Sequence, residues 1–183
     1  MKEVSLYEEI FDEVEGEVED LTSDKEVSDS KLKSNSLKYE SDIPKLEQMC
    51  YIMENVLLKK DDASDTTVYA GFQKVSRAEA IWDRYLDLAD TVDQIYLFGE
   101  DDADLESHPN IDFIYLPDKH KLKREWFLVM DQPLAKSMMV AYDLDGFGLY
   151  EDEKKRNFKG AKSNNPRVVK DAIDLLDDVI DSY

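Results

Sequence analysis

The sequence predicts an α/β (α+β) fold: a central mixed β-sheet flanked by helices, with an amphipathic helix at the N-terminus. Three observations predict it. Strand and helix patterns alternate from Ser36 to Phe98, three strand-like segments follow one another from Trp126 to Ala161, and capped amphipathic segments stand at both ends.

At the N-terminus, Ser5-Leu6-Tyr7-Glu8 fits a capping box, in which the hydroxyl accepts from the N3 amide and the glutamate reaches back. Leu6, Ile10, Val14, Val18 and Leu21 recur at helical spacing, with Phe11 beside them, although Gly16 weakens the helix by about 1 kcal/mol relative to Ala. Residues 1–30 hold 12 acidic residues and two lysines, so half of the chain's net charge sits in its first sixth. The segment from Thr22 to Ser36, rich in Ser, Asp and Lys, reads as a loop or linker. The domain division is therefore 1–36, an acidic N-terminal helix and linker, and 37–183, the folded module.

Ser36–Tyr39 reads as a short strand. Asp42 caps the next helix, Pro44 sits in its first turn, and Ile43, Leu46, Met49, Cys50, Met53, Val56 and Leu57 form its buried face. Lys59–Asp65 is a polar turn, and Thr66–Phe72 a β-branched, aromatic strand. Ser76-Arg77-Ala78-Glu79 fits a second capping box, opening a helix with Ile81, Tyr85, Leu88 and Ala89 inward. Gln94–Phe98 is a strand, Asp101–Asn110 an acidic loop with room for one helical turn, and Asp112–Leu116 a strand stopped by Pro117. Trp126–Met130 is apolar throughout, as a strand buried on both faces requires. Ser137–Tyr142 follows as a strand, although its Met and Ala also suit a helix, and Arg156–Ala161 as the last strand, joined to it by the loop Asp143–Lys155. Asn165 and Pro166 then open a last helix with Val168, Val169, Ala172, Ile173, Leu176, Val179 and Ile180 inward.

Composition excludes several function classes. The formal charge of −20 repels phosphate backbones and anionic lipid surfaces, so neither nucleic acid nor membrane is expected as a partner. The one basic run, Lys119–Arg124, reads as a solvated loop. No basic leader with an apolar run and no stretch of ~18 apolar residues is present, which predicts a cytoplasmic, soluble protein. A single cysteine, Cys50, precludes an internal disulfide and reads as a small buried hydrophobe. Carboxylate repulsion has a testable consequence. Raising KCl from about 0.05 M to about 1 M at pH 7 is expected to raise the melting temperature, because the Debye length falls to ~3 Å. An unchanged or lowered melting temperature would contradict it.

Motifs with reaction chemistry are missing. There is no GxxxxGK[ST], GxGxxG or GxSxG, and the two histidines, His108 and His120, read as exposed loop residues without partners for a metal set. Asp143-Leu144-Asp145-Gly146-Phe147-Gly148 begins like a calcium loop, but Phe147 and Lys154 fall at ligand positions 5 and 12, so it reads as an acidic turn. Asp101, Asp102 and Asp104 read as solvated charge. No catalytic residue, metal ligand or cofactor is expected.

Ordered landmarks run through the middle and end of the chain: Phe72-Gln73, Tyr85-Leu86-Asp87-Leu88-Ala89, Glu125-Trp126, then Phe158-Lys159-Gly160 with Ser163 and Asn165-Pro166-Arg167-Val168-Val169. This set, over about 110 residues, resembles the DICT family, a sensory domain of diguanylate cyclases and two-component systems. The resemblance implies a sensory module at 37–183, without catalytic activity, working through a protein partner or a small ligand. The implied partner is a signalling protein of histidine kinase, response regulator or diguanylate cyclase type, with a homodimer as another option. A copy with no output module is expected to signal by binding another protein, or by binding a ligand and then a protein, and Cys50, inside a helix pattern, is not placed to attach a bilin chromophore. The resemblance marks Phe72, Gln73, Tyr85, Glu125, Trp126, Phe158 and Ser163 as ligand- or partner-binding candidates. The alternatives are a small-molecule-binding module with an apolar pocket under the Asp143–Lys155 loop, and a carboxylate-based hydrolase. The first helix is further expected to pack near the last and to contribute to an association surface.

Overall fold

The computed structural model describes residues 1–22, 27–60 and 62–183. The part of the expected linker at 23–26, and Asp61 in the expected turn, lie outside the described residues.

Eight strands form one mixed sheet. They are β1 (Val18–Asp20), β2 (Ser36–Asp42), β3 (Ala63–Lys74), β4 (Val92–Glu100), β5 (Ile111–Tyr115), β6 (Glu125–Asp131), β7 (Ser137–Asp143) and β8 (Asn157–Ser163), in the order β1-β2-β8-β7-β6-β3-β4-β5. The two halves of the expectation both appear. β6, β7 and β8 are an antiparallel meander, while β3, β4 and β5 pair in parallel through crossovers. The acidic stretch between β4 and β5 contains no helical turn.

Helix α3 (Ile43–Leu58) carries the chain from β2 across the meander to β3. Asp42 accepts from the Lys45 amide at 3.3 Å and Pro44 occupies the first turn, as the sequence predicts. Val56 departs from the expected buried face and is 53% exposed. The short α2 (Asp29–Leu32) and α4 (Trp82–Ala89) join α3 on one face of the sheet; α1 (Leu6–Ile10) and α5 (Pro166–Asp181) cover the other. Alternation along the strands divides the core between these layers. In β6, Trp126, Leu128 and Met130 face α3, whereas Phe127 and Val129 face α5, so the run is apolar because both faces are buried. No helix among the described residues is long and apolar enough to cross a membrane.

The N-terminal segment differs from the continuous helix expected. α1 ends at Ile10, a 3-10 turn covers Phe11–Glu13, and Gly16 takes a φ of +112°, turning the chain into edge strand β1 parallel to β2. The physical reason is charge and chirality. Asp12, Glu13, Glu15 and Glu17 crowd the C-terminal end of the would-be helix, where like charges and the macrodipole disfavour it, and glycine tolerates the left-handed turn. The break lets Leu6, Ile10 and Val14 bury beneath α5's side of the sheet while Leu21 buries on α3's side. Val18 stays 41% exposed. The first helix does lie beside the last: the Lys2 amide donates to Ser182 Oγ at 2.6 Å and Lys2 pairs with Asp178.

The second capping box is also corrected. Val75–Ile81 is a 3-10 segment, and both the amide and hydroxyl of Ser76 bond Asp102, at 2.8 and 2.6 Å, and not Glu79. His120 is buried, not exposed. Its Nδ1 accepts from the Leu122 amide and its Nε2 lies 2.9 Å from the Lys2 carbonyl.

Candidate functional site

At the carboxyl end of β3 the backbone leaves the ladder through a bulge between Gly71 and Gln73, and Gln73 adopts a φ of +67°. A left-handed conformation costs a residue with a Cβ roughly 1–2 kcal/mol. Strain of this kind persists where surrounding contacts over-determine it, and it often marks functional sites. Here the contacts belong to the side-chain amide. Gln73 Nε2 donates to Asp143 Oδ2 at 3.1 Å and to the Lys123 carbonyl at 3.4 Å. Its Oε1 accepts from Arg77 Nη1 at 2.6 Å and Arg156 Nη1 at 3.2 Å. The buried amide thus has its donors and acceptor satisfied.

Asp143 and Arg156 complete the cluster as an ion pair, 0% and 1% exposed at their side chains. Asp143 ends β7 and Arg156 precedes β8, so the hairpin between them returns the two charges to one place. Asp143 Oδ1 also accepts from the amides of Asp145 and Gly146, at 3.1 and 2.8 Å. The carboxylate expected to begin an acidic turn therefore closes that turn with one oxygen and binds the cluster with the other. Arg156 stands over the Phe147 ring, 3.9 Å from its centroid, and its Nε lies 3.0 Å from Glu153.

Arg77 projects from the 3-10 segment after β3. Its Nη1 donates to the Phe72 carbonyl and to Gln73, and its guanidinium lies 4.6 Å from the Trp126 ring centroid. Among the described residues it forms no ion pair. Burial, followed by the like charge of Arg156, pushes its pKa down to about 10, with Asp143 opposing.

Arg77 and Arg156, held from behind by Gln73 and Asp143, wall a cavity of about 510 Å³ between the sheet, α3 and the segment entering α4. Phe72, Tyr85, Trp126 and Phe147 supply aromatic walls, Phe72 meeting Tyr85 edge to face at 5.4 Å between centroids. Phe158 lies behind Trp126, also edge to face, at 6.3 Å. On α3's side Glu54 accepts from Arg84 Nε at 2.6 Å and from the Tyr85 hydroxyl at 3.1 Å. Burial raises the Glu54 pKa, and its hydrogen bonds to Arg84 and Tyr85 resist the rise. Cys50 is buried in this wall, and burial pushes its thiol well up, so it is not a thiolate nucleophile.

Of the seven residues marked in the sequence, Phe72, Tyr85 and Trp126 line this cavity, and Gln73 and Phe158 stand behind its wall, against the two arginines and Trp126. The other two lie elsewhere. Glu125 points to the opposite face, where it accepts from Ser5 Oγ and from the amides of Leu6 and Tyr7 at 3.0 and 3.3 Å, capping α1. Burial raises its pKa to about 7 against the pull of those three bonds. Ser163 sits at the far end of β8 and accepts from the Asn165 amide at 3.1 Å. Arg77, Asp143, Phe147 and Arg156 were not marked. One signal was present: the chain has five arginines to 18 lysines, and scarce arginines are retained where a planar fork or an aromatic stack is needed.

Comparison with known proteins found no match among curated proteins and none among solved structures. The family model for DICT, the sensory domain in diguanylate cyclases and two-component systems, matches residues 23–144. That span includes Gln73, Arg77, Trp126 and Asp143, and leaves Arg156, Phe158, Ser163 and α5 beyond it. The match extends over about two thirds of the chain, with Gln73 and its strained backbone inside it, and the chain belongs to the DICT sensory-domain family.

Proposed function

We propose that this protein is a non-enzymatic sensory module whose signal is a small ligand bound in the aromatic cavity beneath α3. The observation that carries the reading is the convergence on that cavity of two arginines, both held by the strained Gln73 behind them, and four aromatic rings. Its volume of about 510 Å³ lies within the range of small-molecule sites. Trp126 and Phe147 suit a flat apolar body, and Arg77, without a carboxylate partner among the described residues, suits an acidic group on it. The carboxylates do not favour hydrolysis: Glu54 in the cavity wall and Asp143 behind it are each held by an arginine and further hydrogen bonds, Glu153 stands against Arg156, and burial pushes the Cys50 thiol well up.

In this reading residues 37–183 are the sensor and residues 1–36 a clasp around its edge. Output passes to a separate signalling protein of histidine kinase, response regulator or diguanylate cyclase type, or to a second copy of the chain. The ligand acts by favouring one packing of α3 over the sheet.

The chain has two tryptophans, which makes a site-specific test simple. Trp82 donates its indole N–H to the Glu106 carbonyl and serves as an internal reference. A fragment set of aromatic carboxylates is expected to shift the Trp126 indole resonance saturably, with Trp82 little changed. Arg77→Met should abolish the shift while the protein stays folded. A fragment set that leaves Trp126 unmoved at millimolar concentration would sink the reading.

A further inference from the structure

We propose a second ligand site, an anion-binding pocket at the opposite end of α3, independent of the aromatic cavity. This pocket, of about 600 Å³, opens between the C-terminal half of α3, the end of α2 and the ends of β6, β7 and β8. Lys162 lines it from the sheet side. The residue lies in β8 between β2 and β7, on the inward face shared with Phe158, and is 7% exposed. Apolar side chains occupy the neighbouring inward positions, so a lysine here is unexpected.

Its ammonium donates to the Leu32 carbonyl at 2.6 Å, the one hydrogen bond it makes among the described residues. A lysine ammonium has three donors. Burial pushes its pKa down, and no carboxylate pairs with it among the described residues. A charge kept in such a place calls for a counter-charge.

The pocket is lined by three further lysines, Lys33, Lys59 and Lys136, against one carboxylate, Asp29, and among the described residues only Lys136 of the four lysines is paired, with Asp131. In a chain of net charge −20 this is a local reversal of sign, and a concave, low-dielectric wall focuses it. The remaining wall is apolar, with Met53, Val56 and Met130. The exposure of Val56 is thereby explained: it forms the mouth of the pocket. The ligand chemistry that matches is a compact anionic head, carboxylate or phosphate monoester, on a short apolar body. The head would take the free donors of Lys162, and the tail would lie along α3.

Two pocket residues are methionines, which provides a readout separate from Trp126. Protein labelled with ¹³C at the methionine methyls would be titrated with hexanoate and hexyl phosphate, and in parallel with hexanol and hexylammonium. The anions are expected to shift the Met53 and Met130 methyls saturably, and the alcohol and amine to leave them in place. Lys162→Met, which keeps the stem and removes the charge, should weaken hexanoate on the order of tenfold or more. If that variant does not fold, Lys33→Ala combined with Lys59→Ala must weaken hexanoate in its place. An equal response to hexanol, no response to either anion, or an affinity unchanged by these substitutions would overturn the proposal and leave Lys162 as a cap for α2. A silent Trp126 in the same titrations bears only on the aromatic cavity, so the two readings fail separately.

Discussion

Asp143→Ala is expected to cost about 3–5 kcal/mol, the loss measured when one partner of a buried ion pair is removed. The substitution removes the buried carboxylate from the Arg156 guanidinium, 1% exposed, and leaves it only the part-exposed Glu153. It also leaves Gln73 Nε2 with only its longer bond to the Lys123 carbonyl, and strands the amides of Asp145 and Gly146, which Asp143 accepts from. Native domains have ~5–15 kcal/mol in hand, so the effect is a large part of the total. The reciprocal change, Arg156→Met, should cost less. Asp143 would keep three hydrogen-bond donors, and the methionine would refill space against Phe147 and Phe158. The double variant should be more stable than Asp143→Ala alone, because no unpaired charge remains. Urea unfolding midpoints of the four proteins complete the cycle. A loss below about 1 kcal/mol for Asp143→Ala would mean that water reaches the pair and that the cavity floor is not a rigid cluster.

Glu125 governs a pH effect of similar size. Its native pKa of about 7 lies above the ordinary 4.5, and burial is the cause. The sign follows from linkage. A carboxyl whose native pKa is raised binds its proton more tightly in the folded state, so its contribution is most favourable below pH 4.5. That contribution declines as pH rises through the interval to about 7, and the loss is complete above it, amounting to roughly 3 kcal/mol. Glu125→Gln imitates the protonated form and still offers an oxygen to the amides of Leu6 and Tyr7. It should match the wild type near pH 4 and exceed it by about 3 kcal/mol at pH 8. Other carboxyls shift as well, Glu54 and Asp177 upward, so the difference between the two proteins is the quantity to follow. A variant destabilised equally at both pH values would show that the ionised carboxylate is the better cap for α1.

The sequence by itself determined most of the architecture. Elements whose signals are local were legible: Asp42 with Pro44 and Asn165 with Pro166 start α3 and α5, and the unbroken apolar run Trp126–Met130 is the strand covered on both faces. Period and capping are set by near neighbours, so a linear reading finds them. The ordered landmarks also carried the family. What only the tertiary structure decided is how distant charges meet. Gln73 with Arg77, Asp143 and Arg156 come from three separate stretches, and nothing local in Asp143-Leu144-Asp145-Gly146 says that one oxygen closes a turn while the other holds an arginine 13 residues on. Glu125 and Trp126 are adjacent in sequence, yet the strand's period of two sends one to cap α1 and the other to wall the cavity. The N-terminal stripe shows the same limit. Its helical spacing is real, but Leu6 and Leu21 are buried on opposite faces of one sheet, which a straight helix cannot reach and a turn at Gly16 can.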